Sequence, residues 1–534
     1  MVKLLRFVVF TACFLSAGVA FAQGGACPTV ASYLSLTTGS LVTLSSLGVT
    51  SCFYFSKSTG SDSNAGTSET SPQAHLPGMP SYTGKITPTA GEGFILKGGD
   101  TWVASDLDLY WQWTGSSGSP IYIGVDPGWP ASGWTRPVFT CGGSACSYTA
   151  NGNGFYTDQS NIQYIMVDNL EMTGLQEQCS GVNPNYFSVY GSNNTFEHIY
   201  AHGWSHATQA CGATDGSAVF APSTCCGGGL NNTFFYNVID GSDTTEDMMQ
   251  GFLSPPIVYD NVISYVTDGI LGASNDIHSN YIGPIVLCYT SGGCHQNNLQ
   301  NSGPASGNYI MIYDNIITGS PAGGASKLWI AQGTNTSSLV SYVFNNLLFN
   351  NVTGNDVNIC QIGSACGTHN IFNNTFECDT GACSAPTVGE TMTVNWINNH
   401  CISSASNCIN QPGAPVTVNI TTSLNETVSV ANGQGYTQTG TGYAWQPTST
   451  STATLAKGTN EQSLCTTIGN INTTAGIACQ HETNYSCTYN TANHTVSCPN
   501  LIPTARPPAW DIGSYQVSPV PAPTGIGDTV SSPN

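Results

Sequence analysis

Val343-Phe-Asn-Asn-Leu-Leu348, Ile371-Phe-Asn-Asn-Thr-Phe376 and Trp396-Ile-Asn-Asn-His-Cys401 are three copies of one phrase. Hydrophobic and polar residues alternate, an Asn interrupts, and the alternation resumes. Working toward the N-terminus, the phrase recurs as Ile312-Tyr-Asp-Asn-Ile-Ile317, Ile277-His-Ser-Asn-Tyr-Ile282, Val258-Tyr-Asp-Asn-Val-Ile263 and Phe235-Tyr-Asn-Val-Ile239. It begins as Phe196-Glu-His-Ile-Tyr200 and Met166-Val-Asp-Asn-Leu-Glu-Met172. The repeated turn position reads Asn169, His198, Asn237, Asn261, Asn280, Asn315, Asn346, Asn374 and Asn399, at intervals of 19 to 39 residues. A fixed feature at such intervals signals stacked coils. Alternation of period two makes the flanks short strands. Asn tolerates left-handed backbone at a bend, and stacked Asn side chains can hydrogen-bond along an axis. The expected fold is all-β, a right-handed parallel β-helix whose inward residues stack into one continuous core. An antiparallel β-sandwich with Asn-rich turns is the alternative, but it would not repeat one turn context nine times, with Asn in eight of them.

Composition agrees with strands and turns. Only 7% of the 534 residues are charged, against about 25% in an ordinary globular protein. Gly, Asn, Ser and Thr replace the Lys and Glu that helices favour. The first residues read as a secretory signal: Lys3 and Arg6, an apolar run from Phe7 to Phe21, then Ala20-Phe21-Ala22. The expected division is a signal segment at 1–22, a β-helix domain with its caps at 23–516, and a disordered Pro/Ser/Thr-rich tail at 517–534. No second apolar stretch has spanning length, so no transmembrane segment is expected.

Of the 9 Lys and Arg, 2 lie in the signal segment, leaving 7 against 30 acidic groups, a net of −23. Nucleic acid is excluded as a partner, because nothing would neutralise its phosphates. A polyanionic glycan is repelled unless a cation bridges it. Of 21 Cys, Cys13 lies in the signal segment and 20 remain. An even number behind a secretory signal points to disulfides and an extracellular, cell-surface or periplasmic location. Close pairs are expected as loop staples: Cys141/Cys146, Cys288/Cys294, Cys360/Cys366, Cys378/Cys383 and Cys401/Cys408. Cys27/Cys52, Cys465/Cys479 and Cys487/Cys498 are further candidate pairs. Cys179, Cys211, Cys225 and Cys226 are left to pair among themselves or, alternatively, to hold zinc. The mature chain is expected to be a monomer.

Phe53-Tyr-Phe-Ser-Lys-Ser-Thr-Gly-Ser-Asp-Ser-Asn-Ala-Gly-Thr67, with Gly98-Gly99-Asp100-Thr101, resembles the opening of secreted bacterial parallel β-helix proteins of the pectate-lyase-like superfamily. Ala453-Thr-Leu-Ala-Lys-Gly-Thr459 and Arg506-Pro-Pro-Ala-Trp-Asp-Ile-Gly-Ser-Tyr515 resemble the closing segments of the same group. The resemblance spans about residues 52–516. It implies the fold and a carbohydrate-related role, but that fold hosts lyases, hydrolases, epimerases and others.

Placing one charged residue at each loop-to-strand junction aligns Asp215, Asp247 and Asp268 along one edge, with Lys327 two coils on. Stacked carboxylates repel unless a cation binds, so these three are candidate Ca²⁺ ligands. Ca²⁺ would hold a uronate, and Lys327 would abstract a proton in β-elimination, as the pectate-lyase-like resemblance suggests. A metal-free alternative uses two carboxylates to hydrolyse a neutral glycan, drawn from Asp243, Asp247 and Asp268. Trp204, with His202 and His206 on either side, and Trp329 beside Lys327 are candidates for contacting a sugar. Trp102, Trp111, Trp113, Trp129 and Trp134 are assigned to packing at the solenoid end. The competing function is a non-catalytic adhesive or structural protein that presents loops to a polysaccharide or cell-surface glycan.

Overall fold

The computed structural model describes residues 24–28, 33–34, 41–129, 135–143, 154–177, 184–206, 217–222, 229–243, 249–286, 296–320, 327–351, 356–361, 365–378, 382–404, 407–437, 445–483, 488–497 and 503–517. Three long sheets run its length. Sheet one has 13 strands, from Ser51–Phe55 to Val416–Thr421; sheet two has 12, from Thr101–Trp102 to Leu424–Glu426; sheet three has 10, from Leu109–Trp111 to Ser384–Pro386. Every pairing within them is parallel, and among the described residues the antiparallel ladders are two short hairpins outside the coil. The chain is therefore a right-handed parallel β-helix, and the sandwich alternative falls.

Register explains why the phrase recurs. Phe196, Phe234, Val258, Ile277, Ile312, Val343, Ile371 and Trp396 are successive Cα partners in sheet one, all fully buried. One residue later the side chains point out, and Phe235, Tyr259, His278, Tyr313, Phe344 and Phe372 stack ring on ring at 4.6–5.2 Å. The C-terminal helices Gln462–Ile471 and Thr473–Cys479 cover the later part of this outer stack, packing Cys465, Ile468 and Ala475 against it.

The Asn ladder exists, with one correction. Asn237, Asn261, Asn280, Asn315, Asn346, Asn374 and Asn399 are linked, each backbone N–H donating to the next side-chain oxygen at 2.9–3.1 Å. The left-handed residue, however, is the one before: Tyr236, Asp260, Ser279, Asp314, Asn345, Asn373 and Asn398 have φ between 52° and 58°. Asn169 and His198 occupy that left-handed position, with φ of 59° and 51°. Ile199 stands at the ladder position of its coil, donating its N–H to Asn237. Asn at the bend therefore serves two adjacent sites by two mechanisms, αL tolerance and axial hydrogen bonding.

Disulfides Cys27–Cys52, Cys360–Cys366, Cys378–Cys383, Cys401–Cys408 and Cys465–Cys479 match the expected pairs. They fit an extracellular protein. Cys146, Cys179, Cys211, Cys225, Cys226, Cys288, Cys294, Cys487 and Cys498 lie outside the described residues, as do the signal segment and residues 518–534. Trp102, Trp111 and Trp129 are buried in the N-terminal coils, and Trp134 is outside the described residues. The closing segment reaches Val517, whose N–H donates to Asp511. Among the described residues no helix is long and apolar enough to cross a membrane.

Candidate functional site

Sheet two presents a polar outer face in its N-terminal coils. Reading outward residues two and four places after the left-handed bend gives Glu171 and Thr173, then Tyr200 and His202, then Val238 and Asp240. Later coils put Ile316, Leu347 and Phe349 on the same face, where Tyr515 of the closing segment covers them. Parallel pairing of Glu171–Thr173 with Tyr200–Ala201, and of the latter with Val238–Asp240, brings the polar set together.

His202 is the centre. Its Nδ1 lies 2.6 Å from Asp243 Oδ2 and its Nε2 lies 3.2 Å from Glu171 Oε1. Gly203 N–H donates to the other Asp243 oxygen at 3.1 Å. Burial works to lower the imidazole pKa, but the hydrogen bonds and charges of Glu171 and Asp243 outweigh it, so His202 is held above its ordinary value. The two carboxylates stay open to solvent: side-chain exposure is 27% for Glu171 and 47% for Asp243, against 15% for His202.

The C-terminal hairpin completes the site. Its strands Thr488–Asn490 and Thr495–Ser497 carry Tyr489 and His494 over sheet two. Tyr200 is sandwiched between the rings of His202 and His494, at 4.1 and 4.0 Å. Tyr489 donates its hydroxyl to Asp240 at 3.1 Å and lies 2.8 Å from His494 Nδ1. Arg136 ties the hairpin down. Its three guanidinium nitrogens donate to the carbonyls of His198, Asn493 and His494. Burial, with the positive charges of His202 and Arg136, depresses His494 below its usual range despite Asp240 and Glu171.

This arrangement has a pH signature. His202 is raised, so its contribution is full below about pH 6.5, the ordinary imidazole value, and is lost as pH rises through the higher folded value. The melting-temperature difference between wild type and His202→Ala should be widest near about pH 5.5 and close toward about pH 8.5. A difference that widened with pH would contradict the triad.

No protein-family model matches the chain, and no curated protein matches it. Among solved structures it is similar to three carbohydrate-acting proteins. Pectate lyase Pel9A shares 14% identity over 88% of this chain and 96% of its own, with a TM-score of 0.38. A rhamnogalacturonan lyase shares 14% over 70% and 87%, at 0.34. A GH136 lacto-N-biosidase from Eubacterium ramulus shares 12% over 70% and 67%, at 0.35. Likenesses this weak say nothing of the chemistry at His202.

The sequence-derived candidates divide. His202 and Asp243, read from separate motifs, meet. Trp204 does not offer a sugar platform: it is 2% exposed and lies beneath Gly241, where an added Cβ would sit 2.5 Å from its ring. Of the Asp/Lys groove, the two described residues are buried. Asp268 is fully buried and accepts the Asn297 N–H at 2.9 Å. Lys327 is fully buried, with its Nζ 3.4 Å from Asp356. Both flank sheet three as expected but are shut off from solvent, where charge must be paired. Asp215 and Asp247 lie outside the described residues, as does the side chain of His206. Trp329 is half-buried on the outer face of sheet three, donating to Asn297 Oδ1 at 2.8 Å beside the amides of Gln300, Gln332 and Gln361. Glu171 and Asp240 are visible as outward polar positions once the phrases are aligned on the bend. The hairpin residues carry no such signal.

Proposed function

We propose that the protein is a carbohydrate-active enzyme that hydrolyses a neutral extracellular glycan at His202, Glu171 and Asp243. One observation carries the choice of a neutral substrate: the seven cations left after the signal segment are all accounted for. Arg136, Lys327 and Arg506 are buried, Arg506 being bonded to carbonyls of the closing segment and Lys327 paired with Asp356. Lys57 is paired with Asp106. Lys85 and Lys97 stand in the N-terminal coils, and Lys457 in the C-terminal segment. The carboxylate-rich face of sheet two therefore opposes a polyuronate and suits hydroxyl donors.

The chemistry balances within the triad. His202, in its protonated form, gives the Nε2 proton to the leaving glycosidic oxygen as the C–O bond breaks. Glu171, the more distant partner, takes a proton from the water that adds to the anomeric carbon on the side the leaving group has vacated, because acid and base stand only 3.2 Å apart. The Glu171–His202 hydrogen bond then returns that proton. Asp243 orients the imidazole and stabilises its charge.

A lyase with Ca²⁺ at Asp215, Asp247 and Asp268 gives a different product. The test is incubation of the secreted mature protein with neutral and uronic polysaccharides, with calcium or with chelator, and mass analysis of the products. Water-added fragments of a neutral glycan, unaffected by chelator, are expected. Unsaturated ends formed from a polyuronate only with calcium would overturn the reading. Absence of any product would favour the glycan-binding role, for which the Trp329 face with its amide row is the best-formed surface.

A further inference from the structure

We infer that Asp168, Glu197 and His198 form a buried binding site for one divalent transition-metal ion, on sheet one around the bend from the hydrolytic face and separate from it. Asp168 and Glu197 are Cα partners in adjacent coils of sheet one, so their outward side chains stack about 4.8 Å apart. They stand where the aromatic stack that starts at Phe235 would otherwise continue. Both are 0% exposed, and His198 is 7% exposed. One ligand atom from each lies within 4.8 Å of the others.

Two stacked carboxylates require compensation by a positive charge or a proton. Asp168 has local support: Tyr122 donates its hydroxyl to Oδ2 at 2.7 Å, and Asn169 donates to Oδ1 at 2.9 Å. Glu197 has none of this. Neither of its oxygens has a hydrogen-bond partner among the described residues, and His198 Nδ1 stands 3.8 Å from Oε2. A fully buried carboxylate left in that state points at a missing cation.

The spacing suits an ion. Bonds of 2.0–2.2 Å to oxygen and nitrogen put neighbouring ligand atoms roughly 3 to 3.5 Å apart. His198 Nδ1 is 2.9 Å from Asp168 Oδ1 and 3.8 Å from Glu197 Oε2, which brackets that range. An imidazole with two carboxylates selects zinc or manganese chemistry. Calcium, which takes six to eight oxygens, is poorly served. Arg136 Nε holds the His198 carbonyl at 3.1 Å, and the His198 ring stacks on Tyr236 at 5.3 Å, fixing the third ligand. The same Arg136 anchors the hairpin, so an ion here would steady the bend that carries it.

The test uses the full mature protein, stripped with chelator and dialysed, then given Zn²⁺ or Mn²⁺ alone. Elemental analysis should find one ion per chain, and the melting temperature should rise. Both effects should vanish in Glu197→Gln and in His198→Asn, the latter keeping a residue that tolerates φ near 51°. Both should persist in His202→Ala, which removes the imidazole at the centre of the sheet-two face. No retained ion and no thermal shift with either metal would overturn the site, as would a stoichiometry that survives His198→Asn. If Glu197→Gln instead stabilises a metal-indifferent protein, a proton and not an ion compensates the pair.

Discussion

Asn315→Leu is expected to destabilise the protein by about 3–6 kcal/mol, among the largest effects of any single surface-distant substitution. The Asn315 side chain accepts from the backbone and side chain of Asn280 and donates to Ile277 O, Tyr313 O and Asn346 Oδ1, all at 2.9–3.1 Å. Leucine matches the volume but leaves the Asn280 N–H and two carbonyls in a buried corner without this partner. Each such group costs about 1–3 kcal/mol. Chemical denaturation and secreted yield would report the loss. Asn419→Ala is the contrast. Asn419 also bonds to a neighbouring Asn, Asn395, but on an exposed surface, so its loss should stay within about 0.5 kcal/mol. Equal costs at the two positions would show that the internal ladder contributes no more than surface amides.

Lys327→Ala should be nearly as costly, about 3–5 kcal/mol, because it leaves Asp356 charged inside the coil. Lys327→Met with Asp356→Leu should recover most of that loss, since paired removal leaves no uncompensated charge. Thermal unfolding of the single and double variants decides this. A Lys327→Ala protein that melts like wild type yet loses activity would restore Lys327 to a catalytic role.

The coil was legible because its signal is local and repeated. Inward Ile, Val and Phe, the bend and the ladder Asn sit within six residues of each other in seven of the nine phrases. The one-residue slip at Asn169 and His198 came from reading Asn as a single signal when it serves both the αL position and the ladder. Asp268 and Lys327 were placed at the correct sheet edge, but which way a junction residue turns depends on packing, which a strand pattern does not encode. His202 and Asp243 were each visible as chemistry-bearing residues. Their meeting depends on a loop returning across a coil. Tyr489 and His494 were not visible at all, because the hairpin docks some 250 residues from its partners in sequence, and only the folded closing segment brings it to Tyr200. Asp168 and Glu197 lay in two of the quoted phrases, but their stacking follows only from the pairing register.

The most direct test of the account is the activity of Glu171→Gln on whichever neutral glycan the wild type cleaves, measured by the rate of water-added product. The account predicts a fall of about 10²–10⁴-fold, the usual worth of a general acid–base group, with the melting temperature little changed, because Glu171 is partly exposed. A Glu171→Gln protein that cleaves at the wild-type rate would contradict the assignment of catalysis to the His202 face.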